Sequence, residues 1–594
     1  MRASVALLCL LVLASPPRSW AAGGDLDPSF GTGGIVTTPI GSSHAAGQAM
    51  AIQPDGRIVV AGYYTLNPDD TDFALVRYEA DGTLDTSFGG DGIVTTALSS
   101  DFDRAYAIAI DADAKIVVAG DTETVAGALG KFALARYLPD GSLDGSFDSD
   151  GIVTTAMPGQ AAALSVAIQN DGKLVAAGLS DEHFAVARFN TDGTLDPSFG
   201  VGGRVVESFN FAAAFSMALQ PDGKIVVAGS ARDATFNLDF ALVRYDVDGT
   251  RDLSFDGDGF VSTAIGPGSE ASSVVIQPDG SIVAAGISSN PAGDDFAVVR
   301  YKPDGSLDPS FDGDGIVTTA VGGTGAAAHS IVEIQADGKI FVAGGTQGLG
   351  AAEFAIVRYE GDGSLDGSFG TGGIAITPIG AQSYIASADI QVDGKIVAAG
   401  LAAGTTAANA TFAVARYFPG ARCAKAAAST NCRTAERSLL LVKGPGDAAK
   451  ERFIWKWTRG EPTVTAEFGD PTTSTEYVLC LYGGTAGALV AEGEIHVPSS
   501  AVHWSRVSAG YKYDDPAASA DGMRRTTLRG SDKARAKILF KGQGIALPDL
   551  ELPFSPATLP LTVRLSGTDA CWESRYADSD VVANDAVAFK ARAQ

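Results

Sequence analysis

The chain has 594 residues, a 45% hydrophobic composition and a formal net charge of −27 at pH 7. Its length suggests several domains rather than one core. The acidic charge is concentrated in residues 1–420, which carry a net charge of −29, and such a surface repels phosphate backbones. We therefore predict that nucleic acid is not a partner.

The N-terminus has the three parts of a secretory signal peptide. Arg2 supplies the positive start, residues 5–14 form a short apolar run, and Ser19-Trp20-Ala21 places small residues at the two positions that a signal peptidase reads. The apolar run is too short for a bilayer, which takes about 20 apolar residues, and no other segment is long enough. We predict that residues 1–21 are a signal peptide and that the protein is secreted, to the periplasm, the cell surface or the extracellular space.

One phrase then recurs seven times. It reads Leu-Asp-x-Ser-Phe, a glycine turn, Ile-Val-Thr-Thr, an alanine-rich strand, Gln-Pro-Asp-Gly-Lys, Ile-Val-Val-Ala-Gly, a variable stretch and Phe-Ala-Leu-Val-Arg-Tyr. Its aspartates are Asp27, Asp85, Asp144, Asp196, Asp252, Asp308 and Asp366, and its arginines are Arg77, Arg136, Arg188, Arg244, Arg300, Arg358 and Arg416. A spacing of 52 to 59 residues fits four strands and their turns, so each repeat predicts one four-stranded antiparallel sheet.

The second strand of each repeat is apolar without alternation, as in residues 225–228, which indicates that both of its faces are buried. Sheets stacked face to face around an axis bury both faces. The repeats therefore predict an all-β fold with a seven-bladed β-propeller over residues 22–420.

The turns also predict a register. With a hairpin loop at Ala80-Asp81-Gly82, Arg77 faces Asp85. An unpaired charge between blades is costly, so we predict cross-strand pairs in every repeat. These structural pairs are Arg77–Asp85, Arg136–Asp144, Arg188–Asp196, Arg244–Asp252, Arg300–Asp308 and Arg358–Asp366, with Asp27 and Arg416 left to pair across the ends of the repeat region.

The repeat begins at a position that allows the ring to close. If the alanine-rich strand is innermost, the Leu-Asp-x-Ser-Phe segment is the outer strand. The chain then opens with an outer strand at residues 26–30, and its last repeat ends on a third strand at residues 412–417. We predict that the N-terminal strand completes the seventh blade and removes the free sheet edge.

The string 304–319, Asp-Gly-Ser-Leu-Asp-Pro-Ser-Phe-Asp-Gly-Asp-Gly-Ile-Val-Thr-Thr, and the string 220–229, Gln-Pro-Asp-Gly-Lys-Ile-Val-Val-Ala-Gly, resemble the delta-60 repeat family of bacterial exported proteins. The resemblance covers about residues 24–419. It implies a propeller-like repeat and no particular biochemical activity.

Two features of the repeats are candidates for ligand chemistry. Acidic turns such as Asp256-Gly257-Asp258-Gly259 alternate carboxylates with other residues, as calcium loops do. Other repeats make this turn without the acids, so the conformation of glycine explains the pattern. We therefore predict no cofactor, with calcium as the alternative.

The loops between second and third strands vary between repeats, and binding usually lies on such loops. The candidate ligand residues near this face are Tyr63, Tyr64, Phe209 and Phe211.

Residues 421–594 predict a second, all-β domain of sandwich type. The predicted strands are 438–442, 452–458, 463–468, 476–481, 535–540, 559–565 and 587–590. The cysteines left after export, Cys423, Cys432, Cys480 and Cys571, all lie here, and their even number favours structural disulfides. Three connectivities are possible, of which we favour Cys423–Cys432 with Cys480–Cys571.

No nucleophile–base arrangement or metal spacing is visible, and seven near-identical aspartates indicate a scaffold because an active site needs one constellation. We predict a monomeric, non-enzymatic binding or scaffold protein at the cell surface or secreted, which binds a protein or glycan through the variable loops. The alternative is a secreted hydrolase or lyase with its site at the propeller axis. Single-copy acids at the axis would favour the enzyme, and the propeller fold alone does not choose.

Overall fold

The structure is a computed structural model. It describes residues 23–593 except 42–43, 68–69, 125–127, 208–211, 292, 323–325, 336, 347–351, 405–409, 420–431, 444–451, 473–474, 476, 484–489, 498–501, 517–522, 532, 534, 544–559, 567–570 and 585–587. The described residues fall into two compact units, residues 23–421 and residues 422–594. The predicted signal peptide, Cys423, Phe209 and Phe211 lie outside the described residues.

The first unit contains 28 strands, and each repeat contributes four. The first strands are β2 (Ala45–Ile52), β6 (Phe102–Ile110), β10 (Ala161–Ile168), β14 (Ala212–Leu219), β18 (Ser269–Ile276), β22 (Ala326–Ile334) and β26 (Gln382–Ile390). The second strands are β3 (Ile58–Asn67), β7 (Ile116–Thr124), β11 (Leu174–Ser180), β15 (Ile225–Arg232), β19 (Ile282–Asn290), β23 (Ile340–Thr346) and β27 (Ile396–Ala403).

The third strands are β4 (Asp70–Tyr78), β8 (Ala128–Tyr137), β12 (His183–Phe189), β16 (Leu238–Tyr245), β20 (Gly293–Tyr301), β24 (Phe354–Tyr359) and β28 (Thr411–Tyr417). The fourth strands are β1 (Ile35–Thr38), β5 (Ile93–Thr96), β9 (Ile152–Thr155), β13 (Arg204–Glu207), β17 (Phe260–Thr263), β21 (Ile316–Thr319) and β25 (Ile374–Thr377). We number the sheets 1 to 7 by their first strands, so that sheet 7 consists of β26, β27, β28 and β1.

Each sheet is an antiparallel meander, and a single parallel bridge between Thr71 and Phe102 links sheets 1 and 2. The fourth strand differs from the expectation. It is the Ile-Val-Thr-Thr segment, while Leu-Asp-x-Ser-Phe forms a turn held by one bridge, Tyr78 to Leu84 in sheet 1. In that phrase, the serine hydroxyl and the arginine both donate hydrogen bonds to the aspartate. These bonds hold the segment in a turn, so it does not form a strand of the sheet. Correspondingly, β1 forms the ladder with β28, and residues 26–30 contribute one bridge, Leu26 to Tyr417.

The core of this unit lies between sheets. Val59, Leu75 and Phe88 of sheet 1 share one cluster with Ile116 and Ala133 of sheet 2, and the same arrangement recurs between successive sheets. A further cluster joins Val397 and Phe412 of sheet 7 to residues of sheet 1. The second and third strands are therefore buried on both faces, which makes the repeat region propeller-like.

A bulge in the first strand explains the glycine of the Val-Ala-Gly phrase. In sheet 2, the register shifts at Tyr106, between Ala105 and Ala107, and the bulge pushes the Arg104 carbonyl against Gly120 of the second strand. A Cβ atom on Gly120 would lie 1.8 Å from that oxygen. Bulges re-aim the extra side chain, so this residue is free to vary between repeats.

The second unit contains β29 (Ala435–Lys443), β30 (Arg452–Gly460), β31 (Tyr477–Gly483), β32 (Val490–Val497), β33 (Trp504–Val507), β34 (Gly510–Asp514), β35 (Met523–Arg529), β36 (Ala536–Gln543), β37 (Leu561–Ser566), β38 (Cys571–Tyr576), β39 (Val581–Asn584) and β40 (Ala588–Ala593). Two short 3-10 turns are Thr465–Phe468 and Asp578–Asp580. The strands form an eight-stranded sheet in the order β33-β34-β35-β36-β30-β29-β40-β39 and a four-stranded sheet in the order β32-β31-β37-β38.

Both sheets of the second unit contribute to one core that includes Trp455, Trp457, Phe540 and Trp572. The predicted strand at 463–468 is wrong in part, because residues 465–468 form a 3-10 turn in which the Glu467 carboxylate accepts the backbone N–H of Val464. Within the described ranges, no helix has the length and hydropathy that a membrane span requires.

The expected disulfide pairing is wrong. Cys432 is bonded to Cys571, across 139 residues of sequence. This bond excludes both expected pairs, because Cys423–Cys432 needs Cys432 and Cys480–Cys571 needs Cys571. The reason is the chain path, since Arg433 bridges to Trp572 in parallel and so brings Cys432 beside the start of β38. Cys480 is also disulfide-bonded.

Candidate functional site

The repeated arginines and aspartates lie in contact. The Nε–Oδ2 distances are 2.7 Å for Arg77–Asp85, 2.8 Å for Arg136–Asp144, 2.8 Å for Arg188–Asp196, 2.6 Å for Arg244–Asp252, 2.7 Å for Arg300–Asp308 and 2.8 Å for Arg358–Asp366. Arg416 reaches the N-terminal Asp27 at 2.9 Å. The two side chains lie opposite each other because the Asp-Gly hairpin fixes the register.

Six of these seven arginines also donate to a backbone carbonyl of the next sheet. Arg358 Nη1 donates instead to Gln335 of its own sheet. Arg244 Nη1 donates to the carbonyl of Pro303 in the turn of sheet 5 at 2.5 Å, its Nη2 donates to Ser254, and its guanidinium lies 4.6 Å from the ring centroid of Phe255. In sheet 7, Arg416 donates in the same way to the carbonyl of Ala80 in sheet 1. This contact set, which we call the arginine clamp, serves the packing of the sheets and explains the aspartate, the serine and the phenylalanine of the Leu-Asp-x-Ser-Phe phrase.

A different group of side chains occurs once. It lies at the loop end of the sheets, which is the end that carries the connections between second and third strands. There Arg104 of β6 is the cross-strand neighbour of Asp121 of β7, with Nη2 3.4 Å from Asp121 Oδ2 and 3.1 Å from Glu123 Oε2. Gln160 of sheet 3 donates to Glu123 at 3.0 Å.

Two tyrosines, Tyr63 and Tyr106, lie near this pair, and a third, Tyr384, lies near Tyr63. Tyr106 is the bulge residue of β6, and Tyr63 of β3 and Tyr384 of β26 pack against one small apolar cluster of Ala46, Leu401, Ala403 and Ala410. The charges of Arg104 and Asp121 act on the pKa values of both Tyr63 and Tyr106, which places all of these groups near one another. We call Tyr63, Arg104, Tyr106, Asp121, Glu123 and Tyr384 the loop-end cluster.

Burial changes the chemistry of the acid in this cluster. It raises the pKa of Asp121 to about 7; Arg104 opposes the rise, and Glu123 and Asp103 add to it. Asp121 Oδ1 and Arg104 Nε are buried and have no hydrogen-bond partner among the described residues. A buried polar atom without a partner is uncommon and costs free energy. Asp121 Oδ1 as acceptor and Arg104 Nε as donor are therefore suited to hydrogen bonds with a ligand.

In the register that the structure describes, the other repeats do not have this arginine–aspartate pair. The cross-strand pairs that correspond to Arg104–Asp121 are Ala46–Tyr63, Ala162–Leu179, Ala213–Ser230, Glu270–Ile287, Ala327–Gly345 and Tyr384–Leu401. The arginine and the aspartate are therefore not required by the sheet. Sequence reasoning singled out neither residue. The departure from alanine at position 104 was a weak signal, because Glu270 and Tyr384 depart from alanine at the same position.

Of the four predicted ligand residues, the structure describes Tyr63 and Tyr64, and these two lie on opposite faces of their strand. Tyr63 belongs to the loop-end cluster. Tyr64 points to the opposite face of the strand, as successive strand residues do, and its hydroxyl donates to Asp72 at 3.1 Å. Phe209 and Phe211 lie outside the described residues.

Two further acids occur at one level of the first strands. Glu333 faces Phe341 and Asp389 faces Val397, where the other sheets have alanine or valine. Burial raises the pKa of Glu333 to about 8, and the charge of Asp389 adds to the rise. Asp389 also accepts the backbone N–H of Ile52 in sheet 1. This pair is a second departure from the repeat.

In the acidic turns, carboxylate oxygens accept hydrogen bonds from backbone N–H groups. Asp256 adopts φ +49° where Gly200 of another repeat has φ +50°, so the position needs a left-handed residue. Asp258 accepts the backbone N–H of Phe260 at 2.9 Å and thereby caps the fourth strand. Among the described residues, no group of three or more metal-ligating side chains is gathered.

Known proteins share the repeat. Residues 53–88, 112–147, 169–199, 220–255, 277–311 and 335–369 match the model of a family described as a domain of unknown function (DUF5122) β-propeller. Comparison with curated proteins finds no match.

Solved structures with a similar course of the chain include virginiamycin B lyase from Staphylococcus aureus, with 12% identity, a TM-score of 0.35 and coverage of 64% of this chain and 98% of that one. Polysaccharide lyase Uly1 has 13% identity, a TM-score of 0.35 and coverage of 63% and 90%. YCF48 bound to D1 peptide has 11% identity, a TM-score of 0.35 and coverage of 67% and 99%. The six matched segments lie within the repeats described above, and this region of the chain therefore consists of β-propeller repeats.

Proposed function

We propose that the chain is a secreted, monomeric binding protein without enzymatic activity, whose residues 22–420 form a seven-bladed propeller and hold a glycan at the loop end. In this proposal β1 closes the ring, since it is the fourth strand of sheet 7 and Arg416 of that sheet reaches Ala80 of sheet 1. Residues 1–21 direct export, and residues 421–594 form a disulfide-bearing sandwich.

The loop-end cluster is the observation that carries the proposal. Ligand sites combine aromatic surface with a few fixed polar groups. In this cluster, Tyr63 and Tyr106 lie near one arginine and one aspartate, and Tyr384 extends the aromatic surface from Tyr63. The half-buried rings of Tyr63, Tyr106 and Tyr384 offer flat surface to the apolar face of a sugar. Sugar hydroxyl groups both donate and accept, so they satisfy Asp121 Oδ1 and Arg104 Nε together.

The test begins with a glycan and polysaccharide array of the chain from residue 22 onward, followed by calorimetry on the glycan that binds. We expect Tyr63→Ala to weaken binding at least tenfold. Leu179→Ala is the matched control, because Leu179 holds the corresponding position in sheet 3, and it should change the affinity less than twofold. An array without binding, or equal losses for the two variants, would overturn the glycan site.

The second candidate is a hydrolase or lyase that uses the same cluster. One observation favours it, namely the pKa of Asp121 near 7, which suits an acid or base working at neutral pH. One experiment on the glycan that binds distinguishes the two functions. If the wild-type chain releases reducing ends from this glycan, and Asp121→Asn binds the glycan without releasing them, the enzyme is established. An intact glycan after long incubation with the wild-type chain would exclude the enzyme.

A further inference from the structure

One face of the second unit carries an unusual charge. In the eight-stranded sheet, alternate residues of β34, β35, β36, β30, β29 and β40 point away from the core, and the register places them in rows. Eleven of these outward residues are cations: Arg437, Lys443, Arg452, Lys456, Lys512, Arg525, Arg529, Lys537, Lys541, Lys590 and Arg592. We call this surface the basic face.

The cations are not matched by acids. Among the described residues of these rows, Asp514 is the single carboxylate, and it lies 2.8 Å from Lys512 and 3.5 Å from Arg525. Elsewhere like charges stand directly opposite each other on neighbouring strands, in the pairs Arg525–Lys541, Arg529–Lys537 and Lys443–Arg452. Such pairs destabilise a sheet.

The fold itself does not require this arrangement. The core needs only the inward residues, such as Trp455, Trp457 and Phe540, and any polar side chain serves on the outward positions. Opposite charges at the same positions would attract one another across the strands, as the arginine clamp of the first unit does. The basic face is therefore explained by something outside the unit that supplies negative charge.

One corner of the basic face is concave. A cleft of about 520 Å³ is lined by Arg452, Asp514, Arg524, Arg525, Lys541 and Gln543 among others. Arg524 enters the cleft because the register of β35 shifts between Met523 and Arg525. Four cations and one carboxylate thus line a space large enough for an anionic group, while the remaining cations continue along the flat sheet.

We propose that the basic face binds a polyanionic polysaccharide, with one carboxylate, sulfate or phosphate group in the cleft and the chain laid across the strands. Cations two residues apart along a strand are about 7 Å apart, and neighbouring strands are about 4.8 Å apart, so a flexible chain with frequent charges contacts several at once. The apolar members of these rows, such as Ile454 and Leu441, are half-buried and do not project as a membrane-inserting wedge would. A flat sheet face also lacks the helix or ribbon that enters a DNA groove.

The test uses the chain from residue 22 onward with heparin and polygalacturonate as probes, at low salt and with increasing sodium chloride. We expect binding that weakens steeply with salt, since released counterions drive such contacts. The double variant Arg525→Gln with Lys541→Gln should weaken binding at least tenfold. Lys533→Gln with Arg575→Gln removes the same charge away from the basic face and should change the affinity less than twofold.

The folded state of each variant is checked by its thermal midpoint, which should rise or stay equal for the first pair because two like charges are removed. Lys456→Gln with Arg592→Gln provides a second variant on the basic face. Absence of binding to both polysaccharides, or equal weakening by the control pair, would overturn the proposal. Tighter binding to phosphatidylglycerol vesicles or to duplex DNA than to either polysaccharide would also overturn it. Tyr63→Ala should leave heparin binding unchanged, so this site and the loop-end site fail or succeed separately.

Discussion

The two units of the chain use charge in opposite ways. In the repeat unit, cations lie inside, where Arg244 is buried against Asp252 and the ring of Phe255. In the second unit, the core is closed by Trp455, Trp457 and Trp572, and eleven cations lie outside on the basic face. One arginine of this unit, Arg564, is buried against Glu573.

The difference follows from how each unit closes its core. A repeat sheet buries both faces only against neighbouring sheets, and the arginine clamp lies at the junctions described above. The second unit has one core of its own, and its N-terminal segment is held by the Cys432–Cys571 bond. A charge that recurs with the repeat is therefore structural, whereas one that breaks the pattern, as Asp121 does, needs another explanation.

The largest effect should come from breaking one clamp. Arg244→Met leaves the buried Asp252 carboxylate with Lys224 and the two hydrogen bonds from Ser254. Removing one partner of a buried pair costs about 3–5 kcal/mol. We expect this loss in the unfolding free energy from urea titration. Arg244→Met with Asp252→Asn should recover part of it. Lys224→Ser copies sheet 5, where Ser281 stands in place of the lysine, and should cost less than about 1 kcal/mol.

The next effect concerns the second unit alone. Replacing Cys432 and Cys571 by serine opens a loop of 139 residues, and loss of such a bond typically costs about 2–5 kcal/mol. We expect the unfolding transition of the second unit to move to lower urea, while the transition of the repeat unit stays in place. A common shift of both transitions would show that the two units are coupled in stability.

A smaller effect tests the bulge in a repeat. Gly229→Ala places a Cβ atom 1.8 Å from the Ala213 carbonyl oxygen, and backbone has to move to admit it. We expect a loss of about 1–3 kcal/mol, typical of overpacking. Gly268→Ala is the control because a Cβ atom there meets nothing within 4 Å. Similar unfolding free energies for the two variants would contradict the role of the bulge.

The smallest effect is a pH dependence at Asp121. Its pKa is higher in the folded chain than the ordinary value near 4, so the folded state binds the proton more tightly and stability falls as the pH rises from about 4 to about 7. Asp121→Asn removes this contribution, which we expect to be about 1–2 kcal/mol because water can reach an ionised side chain in part. The difference between wild-type and variant unfolding free energies should therefore grow between pH 4 and pH 7 and then level off. A constant difference over that range would falsify the raised pKa.

The repeated phrase was enough to predict much of the first unit from sequence. Four strands per repeat follow from its spacing, and the all-β, propeller-like character of the repeats is confirmed by the family match and the sheets. The position of the fourth strand was wrong because strand propensity does not say which of two neighbouring segments joins the ladder. In Leu-Asp-x-Ser-Phe the polar side chains form their own turn, and this removed the segment from the sheet.

In the second unit, less of the fold could be predicted from the sequence. Its cations at outward positions interrupt the apolar alternation, as in Met-Arg-Arg-Thr-Thr-Leu-Arg at 523–529, so β33 to β35 were missed. The disulfide pairing depends on where Arg433 meets Trp572, which no local pattern records.

Sequence by itself determined the repeat, its first three strands and the arginine and aspartate positions, because turn chemistry and burial act over a few residues. Tertiary structure decided the fourth strand, the disulfide and the loop-end cluster. It alone brought Tyr63, Arg104 and Tyr384 together, since these residues come from three sheets and meet only when the sheets pack.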